Sequence, residues 1–334
     1  MRLRFLPRAA AALLAAAVLL TACGGGAEPA EAPAPAAGDG PFPVSVEHQY
    51  GTTVVPEEPQ RVISLGYTDQ DAILALGVVP VAIREFTGNQ PSATWPWAQD
   101  ELQGQQPQVL SGEINPEMLA ALRPDLIVAV SAGLTREQYD TYSQIAPTVS
   151  QPAGFVDYGT PWQDATRLIG AALGRADRAE QLVTDLEARF AAVREEHPEF
   201  AGTPAVVAAV SAAGPGTYYV WSSQDGRGRF LTSLGFEIPQ RFDELAGESF
   251  YAELSIEQLG LLDEAQLVAW IPFPGAENSA LEQQPGYSTL RVAQEGRVVN
   301  LTDEQAAALS FSTVLSLPSV LDTLPDQFAE ALPE

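Results

Sequence analysis

Seventeen arginines, no lysine, two histidines and one cysteine bound the chemistry open to this 334-residue chain. Without lysine there is no phosphate-binding loop of the G-K-[ST] kind, no Schiff-base site and no lysine general base. Cys23 lies in the N-terminal leader, so the folded part has no disulfide, no thiol nucleophile and no Cys-ligated metal. His48 and His197 are far apart in sequence, and Pro198 directly follows His197, which supports neither a His-rich metal site nor a Ser-His-Asp hydrolase. Carboxylate acid-base chemistry stays possible with 43 Asp and Glu, and recognition by guanidinium groups and ring faces is the other open chemistry. Candidates are Arg84, Arg227 and Arg229 with Tyr67, Trp95, Trp97, Tyr158, Trp162, Trp221, Trp270 and Phe273. Such groups suit a bulky ligand with apolar parts and partly anionic oxygens.

The surroundings of those residues are acidic. Net charge is −26, and removing the three leader arginines (Arg2, Arg4, Arg8) leaves −29. A surface of that sign repels phosphate backbones, so no nucleic-acid partner is expected. Apolar content of 46% is ordinary for a globular protein and excludes wholesale disorder.

Residues 1–22 read as a signal peptide, because the apolar run Ala9–Leu20 is too short for the roughly 20 helical residues that cross a bilayer. Leu20-Thr21-Ala22-Cys23 resembles the bacterial lipobox, which implies lipidation of Cys23 and anchoring on the extracytoplasmic face of the cell membrane. Residues 23–41, rich in Ala, Pro, Glu and Gly, form a flexible spacer.

The elements that position the candidate residues follow an α/β pattern. Arg61–Leu65 and Val78–Ile83 read as strands around a helix, Asp69–Leu76, and a further helix, Asn115–Leu122, leads into a strand at Asp125–Val130. Asp69 and Asp71 read as a helix start and not as a metal site. A helix over Thr160–Leu173 stops at Gly174. The next helix, Ala176–Glu196, has one apolar stripe of Ala179, Leu182, Val183, Leu186, Phe190 and Val193, and spans roughly 30 Å.

Beyond that rod the pattern recurs. Ile73-Leu74-Ala75-Leu76-Gly77 is matched by Leu231-Thr232-Ser233-Leu234-Gly235, and Asn115-Pro116-Glu117-Met118-Leu119 by Ser255-Ile256-Glu257-Gln258-Leu259. The expected fold is two similar Rossmann-like α/β lobes with mostly parallel sheets joined by one long helix. The boundaries are 42–159 for the first lobe, 160–200 for the interlobe helical region and 201–331 for the second lobe. A cleft between lobes, with no plausible catalytic His, Cys or Lys, suggests a receptor and not an enzyme.

The runs Tyr50–Pro56, Pro59–Gly66, Leu76–Ala82 and Leu122–Val128, with Gly296-Arg297-Val298-Val299 and Leu309-Ser310-Phe311-Ser312, resemble the iron-siderophore and cobalamin substrate-binding proteins of ABC importers. The resemblance covers about residues 42–331. It implies a rigid, monomeric bilobal receptor for a ferric siderophore, with iron held by the chelate, no protein metal ligands and no cofactor. It also implies that Glu117 and Glu257, one per lobe, dock arginines of the permease; opposed carboxylates suit bidentate guanidinium contacts. The ligand is expected where strand ends face the interlobe crevice. The charge of −29 favours hydroxamate or mixed-ligand chelates over highly anionic tricatecholates. Tyr-plus-carboxylate ligation of bare ferric ion stays open. So do a cobalamin or haem receptor of the same fold, a cell-wall-acting enzyme using an Asp/Glu pair as acid and base, for which Glu117 and Glu257, at helix starts on separate lobes, lie too far apart, and an adhesion lipoprotein.

Overall fold

The computed structural model describes residues 41–211, 216–272 and 281–333. The signal peptide, Cys23, nearly all of the spacer and Phe273 lie outside the described residues.

An antiparallel hairpin that the sequence reading did not assign opens the fold, from β1 (Val44–His48) and β2 (Gly51–Val55). The first lobe then runs β3 (Val62–Ser64), α1 (Asp69–Ala75), β4 (Ala82–Arg84), β5 (Gln108–Leu110), α2 (Pro116–Ala121), β6 (Leu126–Ala129), α3 (Arg136–Tyr142) and β7 (Thr148–Ser150). Its five strands form one parallel sheet in the order β5-β4-β3-β6-β7. Every residue of β3 and β6 is buried, as expected where helices cover both faces of a sheet. Val62 and Val128 serve one core layer, and Ile63 and Ile127 the other.

Two helices connect the lobes, α4 (Trp162–Ala172) and α5 (Ala176–Glu196). They cross closely at Gly170, where an added Cβ would stand 2.4 Å from the Ala179 Cβ. The α5 stripe is shared between two cores: Ala179 packs into the first lobe, whereas Val183, Leu186 and Phe190 pack into the second.

The second lobe comprises β8 (Ala205–Val210), β9 (Thr217–Trp221), α6 (Gly226–Leu234), α7 (Gln240–Ala246), β10 (Tyr251–Ser255), a 3-10 helix (Ile256–Glu264), β11 (Leu267–Ile271), α8 (Arg291–Gln294) and β12 (Val298–Asn300). Its sheet, β10-β9-β8-β11-β12, keeps the five-strand plan, but β9 runs antiparallel to both neighbours. Three further helices follow: α9 (Asp303–Phe311), α10 (Ser316–Leu321) and α11 (Leu324–Ala331).

The two repeated segments are visible as paired local structures. Gly77 (φ 77°) and Gly235 (φ 106°) end α1 and α6 in the left-handed region that glycine adopts without strain. Asn115 caps α2 by accepting the Met118 N–H at 2.9 Å, while the Ser255 N–H donates to the Gln258 side chain at 3.0 Å. The second copy winds as a 3-10 helix and not the expected α-helix.

Residues of α9 and of the turn leading into α10 also touch the first lobe. Leu315 packs on Leu74, Ala98 and Leu102, and Ala307 and Phe311 pack on Trp95.

Candidate ligand-binding site

Parallel strands converge at their carboxyl ends, and the segments that leave them make the first wall of an interlobe cavity. Tyr67 follows β3, Phe86 follows β4, and Ser131 follows β6. Thr160 and Trp162, from the crossover into α4, add to the lining. Arg227 and Arg229 at the start of α6, Phe250 before β10, and Ser310 to Thr313 at the end of α9 supply the opposite wall. The cavity, open to solvent on one side, has a volume of about 310 Å³.

Asp69 fixes the first wall. Its carboxylate accepts the Val130 N–H at 2.8 Å, the Ser131 N–H at 2.9 Å and the Ser131 hydroxyl at 2.7 Å, which joins the segments after β3 and β6. Burial pushes this carboxyl up, and the bonds from Ser131 and the backbone oppose the shift. Glycine at 66 leaves room for the contact, since a Cβ there would stand 2.1 Å from Asp69 Oδ2.

Each wall carries arginine on an aromatic ring. The Arg84 guanidinium lies 4.0 Å from the Tyr67 ring centroid and donates to the Tyr67 hydroxyl at 2.8 Å. Across the cleft, Arg227 lies 4.1 Å from the Trp221 ring centroid. Its side chain is only 12% exposed, and its Nε is 3.1 Å from Asp225 Oδ1. That contact is a charge pairing without hydrogen-bond geometry, since Nε has no hydrogen-bond partner. Burial lowers the Arg227 pKa and raises that of Asp225, with mutual attraction opposing both shifts. Arg229 donates to the Gly159 carbonyl at 2.6 Å, which ties α6 to the crossover.

Aromatic rings run along the cleft in a chain that changes lobe three times. Phe250 meets Tyr158 (6.0 Å between centroids), Tyr158 meets Tyr67 (6.0 Å), Tyr67 meets Phe86 (5.1 Å), and Phe86 meets Phe311 (5.4 Å). Phe311 then meets Trp97 edge-on (5.3 Å), which stacks on Trp95 with planes 3° apart. Tyr158 (42% exposed) and Phe86 (37%) are among the few large apolar side chains that face solvent.

Of the residues singled out from sequence, Tyr67, Tyr158, Trp162, Arg227 and Arg229 line the cavity, and Arg84 and Trp221 do not line it but each stacks with a residue that does. Trp95 and Trp97, expected among the ligand-binding aromatics, are not among the residues that line the cavity; they pack between lobes at the end of the ring chain. Trp270 is a correction. It sits on β11, buried on both faces and fully inaccessible, in the second lobe's core. Glu117 and Glu257 are exposed, each on the first turn of its helix. Sequence reading missed Phe86, Phe250 and Ser131 as wall residues. It noted Phe311 and Asp69 without giving either a place in the site.

A profile of the family described as periplasmic binding protein matches residues 62–305. Over 209 residues the chain is 29% identical to a probable siderophore-binding lipoprotein of Bacillus subtilis (strain 168), covering 60% of this chain and 59% of that one. The chain thus spans about three fifths of that lipoprotein's length. It is 26% identical over 263 residues to the Fe(3+) dicitrate-binding periplasmic protein of Escherichia coli (strain K12), covering 78% and 82% of the two chains. Among solved structures, a periplasmic solute binding protein from Mycobacterium smegmatis superposes with a TM-score of 0.77 at 35% identity, covering 87% of this chain and 99% of that one. PiaA of Streptococcus pneumoniae in complex with ferrichrome superposes with a TM-score of 0.74 at 25% identity, covering 86% and 98%. By these descriptions the relatives bind solutes and are not enzymes.

Proposed function

The chain belongs to the periplasmic binding protein family, and we propose that it is an extracytoplasmic receptor that takes a ferric siderophore into its interlobe cleft and delivers it to an ABC permease. The observation that carries this reading is the cleft itself: ring faces on both walls, with arginine set on or behind them from each lobe. Such a lining suits a bulky chelate with apolar linkers and oxygen-rich iron ligation. Iron stays with its chelator. Among the described residues no group of three or more His, Cys, Asp or Glu side chains is placed to hold a metal. Ferrichrome in PiaA and the siderophore or ferric dicitrate named for the relatives support the same ligand class.

Chelates of low net charge, such as hydroxamates, fit best. Asp225 offsets Arg227, and the whole chain repels anions. The receptor acts as a monomer tethered through lipidated Cys23, and Glu117 and Glu257 meet permease arginines. Among the described residues no helix is long and apolar enough to cross a membrane.

Quenching of tryptophan fluorescence by a neutral ferric trihydroxamate, ferric citrate, a ferric tricatecholate, haemin and cobalamin tests the reading. Saturable quenching by the trihydroxamate in preference to the others is expected. Saturation by haemin or cobalamin alone would move the protein to a different ligand class.

A further inference from the structure

Two residues beyond Asp69, on the same turn of α1, stands a second inaccessible carboxylate that bridges its own lobe and the other. Asp71 Oδ2 accepts the Trp97 indole N–H at 2.9 Å and the Thr313 hydroxyl at 2.5 Å, and Thr313 lies 242 residues away in the second lobe. Its other oxygen, Oδ1, is buried with no hydrogen-bond partner. Thr313 lines the cavity, and Trp97 braces Phe311, which lines it too. Asp71 therefore holds the far wall of the cleft from behind, through two bonds to one atom.

Resting on the receptor reading above, we propose that Asp71 is a positioning residue that latches the Phe311–Thr313 wall to the first lobe, and that ligand affinity follows its protonation.

The chemistry fixes the direction. A buried carboxylate with one bare oxygen is poorly solvated when ionised, whereas a proton on Oδ1 leaves Oδ2 free to keep both bonds. Burial accordingly raises its pKa to about 6, with the bonds from Thr313 and Trp97 opposing. Charged groups on the packed elements are engaged elsewhere or remote. Asp69 serves Ser131, Arg167 pairs with Glu180, and Arg189 pairs with Asp322. Asp100, Glu101 and Asp164 make no ion pair with Arg among the described residues, and Asp71 feels no resolved charge from them. The latched arrangement is thus the one with the raised pKa. It is most favoured in acid, loses ground as pH rises from the ordinary carboxylate range toward 6, and reaches a constant disadvantage above that.

The test compares wild type with Asp71→Asn, whose amide oxygen retains the acceptor but cannot titrate. Kd for a neutral ferric trihydroxamate is measured from pH 5 to 7.5, and tryptophan emission of the ligand-free proteins over the same range. For the wild type, Kd is expected to rise by about ten-fold from pH 5 to 7.5, the span set by a carboxyl moving between its ordinary pKa and about 6. Emission should pass through a transition near pH 6 as Trp97 senses its acceptor ionise. Asp71→Asn should show neither change. If Asp71→Asn does not fold, Thr313→Val cuts the bond across lobes and leaves the carboxylate, so the slope in Kd should shrink while the emission transition persists. A flat wild-type Kd, or an equal slope in Asp71→Asn, overturns the latch. Should no chelate bind, the receptor reading fails separately and the emission data decide: a transition lost in Asp71→Asn and moved to higher pH in Thr313→Val, where the carboxylate has lost the bond that favours its charged form, upholds the latch, and a transition unmoved by Thr313→Val or equal in Asp71→Asn refutes it.

Discussion

On the first lobe's wall, Tyr67, Phe86 and Tyr158 present rings to the cavity, and two of the three are more than a third exposed. On the second lobe's wall, Arg227 is almost withdrawn from water, set over Trp221 and matched by a buried Asp225. One wall is an apolar surface already presented to solvent. The other is an electrostatic assembly whose parts depend on one another, so most changes there are felt first as lost stability. Ligand contact and structural integrity are therefore separable on the first wall and entangled on the second.

The largest effect should come from breaking the second wall's pairing. Asp225→Ala leaves Arg227 without its countercharge and α6 without its cap, and should cost about 3–5 kcal/mol in urea unfolding. A double replacement, Asp225→Leu with Arg227→Met, should regain most of that loss, because a well-packed apolar pair removes both desolvation penalties. Failure to recover would mean that the pair is needed for more than mutual neutralisation. Smaller and of opposite character is the first wall. Phe86→Ala or Tyr158→Ala should change stability by less than about 0.5 kcal/mol, yet weaken trihydroxamate binding by about 1–2 kcal/mol, roughly 5- to 30-fold in Kd. A variant that lost stability and affinity in proportion would erase the distinction between walls. The smallest effect in solution belongs to Glu117→Ala and Glu257→Ala, both outside the cleft. Melting temperature and Kd should stay at wild-type values, while ligand-dependent stimulation of a reconstituted permease's ATPase falls.

Much of the fold could be read from local pattern, and the reasons differ by element. Helix α5 matches its expected limits because its apolar stripe is bounded by Gly174 and by His197-Pro198. Strands β6 and β11 are continuous apolar runs, the mark of a covered sheet. The β1–β2 hairpin escaped because Gln49-Tyr50 carries no Asn-Gly turn signature and each strand is short. The reversal of β9 could not be read either, since the direction of a strand depends on its connections and not on its composition.

The site divides similarly. Arg227 and Trp221 could be chosen because a guanidinium and an indole at element ends suit a bulky oxygen-rich chelate, although an indole at a strand end is as readily core as cleft. The same logic misplaced Trp270, where a covered strand takes its ring into the core. Phe86, Phe250 and Phe311 were invisible as wall residues because a phenylalanine's sequence context does not say whether tertiary packing will cover it.

Sharing of the α5 stripe between two cores has a further consequence. Neither half of this molecule is a self-sufficient folding module: severing one would strip apolar cover from the helix that the other relies on. Heat should therefore melt the whole protein in one cooperative step, with calorimetric and van't Hoff enthalpies in agreement. Evolution could retune either wall of the binding cleft, but not exchange a lobe without also replacing the beam that runs through both.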